Sequence, residues 1–386
     1  MTREGRLHVA VVGAGFVGTT LAAALVRRGC VVTIVARTRE LSGASEVTYA
    51  WLNSHRKRPE AYQALNQQGL RHWRTVFGPA HPEYVHWHGH TVMVSDRLHK
   101  GAVRERFDYL TSLGYPAEWT TAPSVGRELS IHVAPDAIAA NFPSEGHCEP
   151  EPIRAALVEQ LGLSGRCTWK LGEAVGVEDQ SITLRSGARV GADRVVIAAG
   201  NGSSELLSSA GFDLPMVAQH GGGPAWGFLA DARVPAHSLC RPVTTDRVNV
   251  RPTGPDALLV QALDVDEAAG PEVEIGQSLH EEYRLRLVEL LGREDVEITR
   301  VRVGHRVIPA DSMTVAGPVD GNPKSRVWTI VTHSGITLAP FLAETVAAEI
   351  VEEREDPALE TFRPQRFAET ESESAAPSAP RLPGEQ

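Results

Sequence analysis

Cysteine and positive charge are both scarce in this chain. Only Cys30, Cys148, Cys167 and Cys240 occur, with no C-x-x-C spacing among them, which argues against a zinc site or a disulfide framework. Lys and Arg number 38 against 48 Asp and Glu, a formal net charge of −10. Without surplus cations to neutralise phosphates, nucleic acid is not an expected partner. No run of about 18 apolar residues offers a membrane-spanning helix. The opening MTREGRLHVAVVG enters its first strand without a cleavable leader, so a cytoplasmic protein is expected. Internal repeats are also absent. What the chain does have is 42% hydrophobic residues over 386 positions, enough for one large or two ordinary domains with a real core.

The stretch VVGAGFVGTTLAAALVRRGCVVTIVARTRE, residues 11–40, carries the first chemistry. An apolar run at 7–12 reads as a strand buried on both faces, 19–28 as a helix stopped by Gly29, and 31–36 as a second strand. In that setting Gly13, Gly15 and Gly18 form a dinucleotide-binding turn. The first glycine permits the tight turn, the second lets the backbone approach a pyrophosphate, and the third lets the helix pack on the strand. The second strand ends in Ala36-Arg37, where a ribose-binding acid is expected. Alanine cannot accept from ribose hydroxyls, and Arg37 could meet a ribose phosphate, so these residues alone leave NADP open. Glu40 is near enough in sequence to be a replacement acid.

Further along, 53–72 reads as a loop followed by a helix from Pro59, and 84–143 mixes short pieces that resist assignment. Helices are expected at 151–163, from 203, at 275–291 and at 339–352. Hairpins are expected at 174–184 and around the Pro252 to Asp256 turn signal, and strands at 195–198 and 327–331. The last eighteen residues, 369–386, are polar and proline-rich and predict a disordered tail.

Three later segments sharpen the reading: LGEAVGVEDQSITLRSGARVGADRVVIAAGNGSSELL, VGHRVIPADSMTVAGPV and VTHSGITLAPFLAETVAAEI. With the opening glycines, the SGAS element at 42–45 and the closing FRPQRF, the chain resembles the FAD-dependent oxidoreductases of the D-amino-acid oxidase, glycine oxidase and sarcosine oxidase superfamily over residues 7–367. The resemblance implies a mixed α/β (α+β) fold, in which a Rossmann-like FAD-binding domain (1–85, 148–212 and 300–368) interleaves with a strand-rich substrate domain (86–147 and 213–299). It also implies noncovalent FAD. The ADP half would lie on Gly13, Ala14, Gly15, Phe16, Val17 and Gly18, with Ala36, Arg37 and the main chain of Val175 nearby. The ring system would sit beside Ser42, Ala44, Ser45, Gly335, Ile336 and Thr337, and Ala199 and Gly200 would also contact the cofactor. Backbone donors at the start of the final helix would favour negative charge on a reduced ring.

By the same likeness Arg306 would grip a substrate carboxylate and border the cofactor, since a guanidinium forks onto a carboxylate with two hydrogen bonds. Departures from the family pattern are Val307 for the usual proline, Pro309-Ala310-Asp311-Ser312 for its turn, and Ala36 for its acid. Tyr49, Trp51, Asn53, His55 and Arg56 could line the pocket, with His333 at the ring edge and His220 near a domain crossing; Arg251 reads as a strand-end charge. No metal site is expected. The implied reaction takes a hydride from the carbon next to the nitrogen of an amino acid or secondary amine, and the imine then hydrolyses. Oxygen or another acceptor reoxidises the flavin. An NADP-dependent dehydrogenase and a flavin-binding module without turnover are the alternatives.

Overall fold

The computed structural model describes residues 5–178, 180–270 and 275–368; the expected tail at 369–386 lies outside them. Four parallel strands, His8–Val12, Val31–Ala36, Cys167–Leu171 and Arg194–Ile197, form the centre and one edge of a six-stranded sheet. Val327–Val331 joins them in parallel, and Val315–Pro318 closes the other edge antiparallel. The central strand His8–Val12 is buried throughout, which is why it reads as an unbroken apolar run rather than an alternating one.

Helices Phe16–Arg27 and Gly335–Glu352 cover one face of this sheet, joined by Pro150–Leu163 and Glu60–His72. The first is built from Ala, Leu and Val, and it packs so tightly that ten of its twelve residues are buried. The other face carries the three-stranded sheet of Ala174–Glu178, Ser181–Leu184 and Arg189–Gly191, with Ser203–Ser209 packed against it.

A second, eight-stranded sheet gathers Glu297–His305, Trp226–Arg233, Ala257–Gln261, Asn249–Gly254, Val243–Thr244, His90–Val94, Ile138–Phe142 and Glu118–Thr121. Its core packs on Gln277–Leu291 and Ala122–Leu129. The strand Glu297–His305 pairs along its length with Trp226–Arg233, so the boundary expected at residue 300 falls inside a strand of the second sheet. Residues 84–143 resist sequence reading because their strands pair non-locally: His90–Val94 lies between Ile138–Phe142 and Val243–Thr244. Helix Arg97–Ser112 in this region does have a local signal, since Asp96 caps it by accepting from the Leu98 and His99 N–H groups. Among the described residues, no helix is long and apolar enough to cross a membrane.

Candidate active site

The parallel strands of the six-stranded sheet end at one edge, and each continues into the wall of a cleft of about 620 Å³. His8–Val12 leads to Gly13, Val31–Ala36 to Arg37, Arg194–Ile197 to Ala199 and Gly200, and Val327–Val331 to His333 and Gly335. Ligands of open α/β sheets bind beyond these carboxyl ends. The opposite wall comes from the second sheet through Gly227, Phe228, Leu229, Gln261, Gly304 and Arg306.

The glycines are required by close approach. A Cβ on Gly13, which adopts φ +112°, would lie 2.2 Å from the Ala198 carbonyl oxygen, and one on Gly18 would lie 2.1 Å from that of Gly13. Gly15 is less constrained, since its Cβ would meet the Ser45 Oγ at 2.9 Å. That same hydroxyl accepts from the Phe16 N–H at 3.0 Å and so ties the 42–45 loop to the first helix turn. Arg154, buried on Pro150–Leu163, donates to the carbonyls of Ala14 and Arg39 at 2.8 Å each. It clamps the glycine loop to the end of the second strand, and nothing in its local sequence marks it. Val175 is the extra residue of a β-bulge, because the pairing register shifts between Ala174 and Gly176. A bulge leaves main-chain groups outside the ladder, which suits a main-chain contact at this point of the cleft. This cradle of glycines, helix N-termini and unpaired backbone fits the adenine dinucleotide half of FAD.

Of the residues expected at the cofactor, Gly13, Ala14, Gly15, Val17, Ala36, Arg37, Ser42, Ala44, Ser45, Val175, Ala199, Gly200, Arg306, Gly335 and Ile336 line the cleft. Phe16, Gly18 and Thr337 do not. Phe16 is buried against Trp73 and Phe77, and Gly18 packs on the Gly13 carbonyl. The Thr337 hydroxyl donates to the Trp51 carbonyl at 3.1 Å, fastening the Trp51 segment to the final helix.

Among the expected substrate residues, Tyr49 and His333 line the cleft, whereas Trp51, Asn53, His55 and Arg56 do not. Asn53 and His55 are turned away because Glu145, fully buried, claims their loop. Its carboxylate accepts from the Ser54 and His55 N–H groups (3.0 and 2.9 Å), the Tyr115 hydroxyl (2.7 Å) and His55 Nδ1 (3.0 Å). His220 is a surface residue bonded to the Gly221 carbonyl. Arg251 is not a strand-end charge. It is buried, donates to the Tyr49 carbonyl at 2.5 Å and pairs with Glu149 at 2.6 Å, joining the second sheet to the cleft wall.

Arg306 reaches the cleft as expected but with most of its fork engaged. Nη1 donates to the carbonyls of Pro224 (3.0 Å) and Trp226 (2.5 Å), and Nη2 to Asp266 Oδ2 (2.8 Å). A guanidinium has five N–H donors, so Nε–H and one Nη2–H are left among these contacts. Asp266, fully buried, also accepts from the Phe228 N–H at 2.7 Å. A Cβ on Gly227 would collide with both partners of the pair, so the glycine there makes room for it.

Among the described residues, two groupings bring potential metal ligands within 4.8 Å, His55-His90-Glu145 and His86-His147-Glu149. Glu145 already receives the donors given above, and Glu149 is paired with Arg251; both are accounted for as hydrogen-bonded structure. Burial drives His55 down to about 4 despite the opposing pull of Glu145, and lowers His90 as well. Burial alone would raise Glu145, but His55 and then His90 hold it well below the usual carboxylate range.

These shifts predict acid sensitivity. A histidine neutral in the fold, with its pKa lowered to about 4, is protonated first in the unfolded chain. Its contribution is complete above about pH 6.5 and is lost as pH falls toward 4. Between about pH 7 and pH 5 the fold should lose on the order of 2 kcal/mol through His55. Denaturant unfolding at the two pH values measures this, and equal stabilities would contradict it.

The comparisons with known proteins agree with this geometry. The family described as FAD dependent oxidoreductase matches residues 8–349. Glycine oxidase from Geobacillus kaustophilus superposes with a TM-score of 0.80 at 19% identity, covering 94% of this chain and 99% of that one. Iminodiacetate oxidase from Chelativorans sp. BNC1 does so with a TM-score of 0.76 at 18% identity over 92% and 98%. L-Proline dehydrogenase from P. horikoshii gives 0.77 at 15% identity over 94% and 98%. A tRNA 5-methylaminomethyl-2-thiouridine biosynthesis bifunctional protein of Chromohalobacter salexigens is 28% identical over 249 residues, 61% of this chain and 33% of that protein. The chain thus spans about a third of the curated relative it matches. None of these findings supports NADP, and the chain belongs to the FAD-dependent oxidoreductase family of D-amino-acid oxidase type.

Proposed function

We propose that this protein oxidises an amino acid or secondary amine at the carbon next to nitrogen, using noncovalently bound FAD. The observation that carries the reading is the cleft itself. The Gly13 to Gly18 cradle and the N-terminus of Gly335–Glu352 face a wall of the second sheet that presents Phe228, Leu229, Gln261 and Arg306, with Tyr49 beside it from the loop before Trp51. When bound, FAD supplies a two-electron acceptor for a hydride. The residues hold the neutral amine so that the α C–H bond breaks with its electron pair leaving, the nitrogen lone pair forms C=N, and water later cleaves that imine to a carbonyl and ammonia or a smaller amine. The electrons pass on to oxygen or to another acceptor.

Arg306 is proposed to orient a substrate carboxylate through its Nε–H and remaining Nη2–H, and Tyr49 and His333 to border the reacting end. Burial pushes the Tyr49 phenol well above its ordinary range, so it acts as a neutral hydroxyl rather than a base. None of the four cysteines lines the cleft, and His55 is walled off behind Trp51, which supports a noncovalent cofactor. Free thiols at all four cysteines also suit a cytoplasmic setting. Deuterium at the α carbon tests the chemistry. Anaerobic reduction by the deuterated amine should be several-fold slower than by the protiated one, and equal rates when reduction is rate-limiting would exclude C–H cleavage as the step.

A further inference from the structure

We propose that Glu173 supplies the carboxylate that holds the adenosine ribose of FAD, in place of the acid that position 36 lacks; this rests on the assignment of FAD to the cleft.

The placement follows from backbone pairing. Ala36 ends its strand opposite Leu171, and its carbonyl accepts from the Gly172 N–H at 2.9 Å. Gly172 has a φ of +156°, and a Cβ there would meet the Leu184 side chain at 3.0 Å. The chain therefore turns at a glycine docked on the end of the second strand, and the next residue is Glu173. Both lie in the cleft wall with Ala36, Arg37, Ala174 and Val175. The function normally served by an acid at the strand end can thus come from the neighbouring strand's turn.

The other acids are less well placed. Glu40 is exposed and outside the cleft wall, with its N–H on the Thr38 hydroxyl. Glu205 lines the cleft, but from Ser203–Ser209 rather than from the turn docked on Ala36. Glu173 now forks onto Arg185 Nε and Nη2 at 2.6 and 3.0 Å, with side chains 40% and 69% exposed respectively. A solvent-exposed pair of this kind parts at little cost, so the carboxylate is available to ribose hydroxyls. The hydrogen bonds from Arg185 lower the pKa of this carboxyl further, and Arg37 adds to the effect. A carboxylate at this point also disfavours a ribose phosphate by like-charge repulsion, in keeping with FAD rather than NADP.

The test measures FAD affinity of the full chain after flavin removal, by calorimetry, with no turnover involved. Glu173→Gln should weaken FAD roughly 10- to 100-fold, as for loss of a charge-assisted hydrogen bond. Ala36→Glu added to Glu173→Gln should restore most of that affinity. Arg185→Ala should leave it unchanged or tighten it; the native chain should bind FAD carrying 2′-deoxyadenosine more weakly than FAD, and Glu173→Gln should bind the two alike. Native-like FAD binding by Glu173→Gln would overturn the proposal. So would equal weakening by Glu173→Gln and Arg185→Ala without rescue, which would make the ion pair merely structural. A native chain that binds no FAD at all would instead remove the cofactor assignment on which the proposal stands.

Discussion

Replacing Arg306 by alanine is expected to have two separable effects. Affinity for a carboxylated amine should fall by about 2 to 4 kcal/mol, the usual cost of removing a charged hydrogen-bond partner. The counter-charge of Asp266, 2.8 Å from Nη2, places the loss toward the lower end of that range. The substitution also breaks the ion pair of Asp266, which is fully buried, and removing one partner of a buried pair costs about 3 to 5 kcal/mol of stability. A simple loss of activity would therefore not distinguish binding from unfolding. The double variant Arg306→Ala with Asp266→Asn separates them: denaturant unfolding should show stability largely recovered, while KM for the carboxylated amine stays high. If KM in that double variant equals that of the native protein, Arg306 does not bind the carboxylate.

A structural effect of similar size is expected from Gly13→Ala. The new methyl would sit 2.2 Å from the Ala198 oxygen, against backbone that the Ala198 N–H to Val12 carbonyl bond holds in place, and at φ +112°. Overpacking and backbone strain add to on the order of 3 kcal/mol or more, and the turn that would receive the pyrophosphate is displaced. Gly18→Ala should behave similarly, because its clash is again with backbone. Gly15→Ala should be much milder, since its nearest neighbour is the Ser45 hydroxyl, a side-chain atom that can rotate. Melting temperature and flavin content measured on the three purified variants check this order. A Gly13→Ala protein with native flavin content and stability would contradict it.

The cofactor half of the site was more legible in the sequence than the substrate half, and the reason is the range of the interactions. Gly13, Gly15 and Gly18 answer to steric demands within one strand, turn and helix, so their spacing carries the signal. Arg306 was recognisable from its motif, but its partner Asp266 lies 40 residues earlier on a helix whose position only the sheet topology fixes. Asn53 and His55 looked like pocket residues from their place after the 42–45 loop. They face inward because Glu145, some 90 residues away, gathers the Ser54 and His55 N–H groups, while the Asn53 N–H donates to the Thr337 hydroxyl. Arg154 and Glu173 were invisible for the same reason: each works through a backbone contact between segments more than a hundred residues apart. Strand position does not reveal the role of Arg251, which its burial determines.

The measurement that tests the central claim most directly is the visible absorption of the purified protein before and after anaerobic addition of amino acids and N-alkyl glycines. The account predicts the bands of oxidised flavin, released as FAD on denaturation, and their bleaching by at least one amine in the absence of oxygen. A colourless protein that takes up no FAD, or a flavoprotein that no amine reduces, would contradict it.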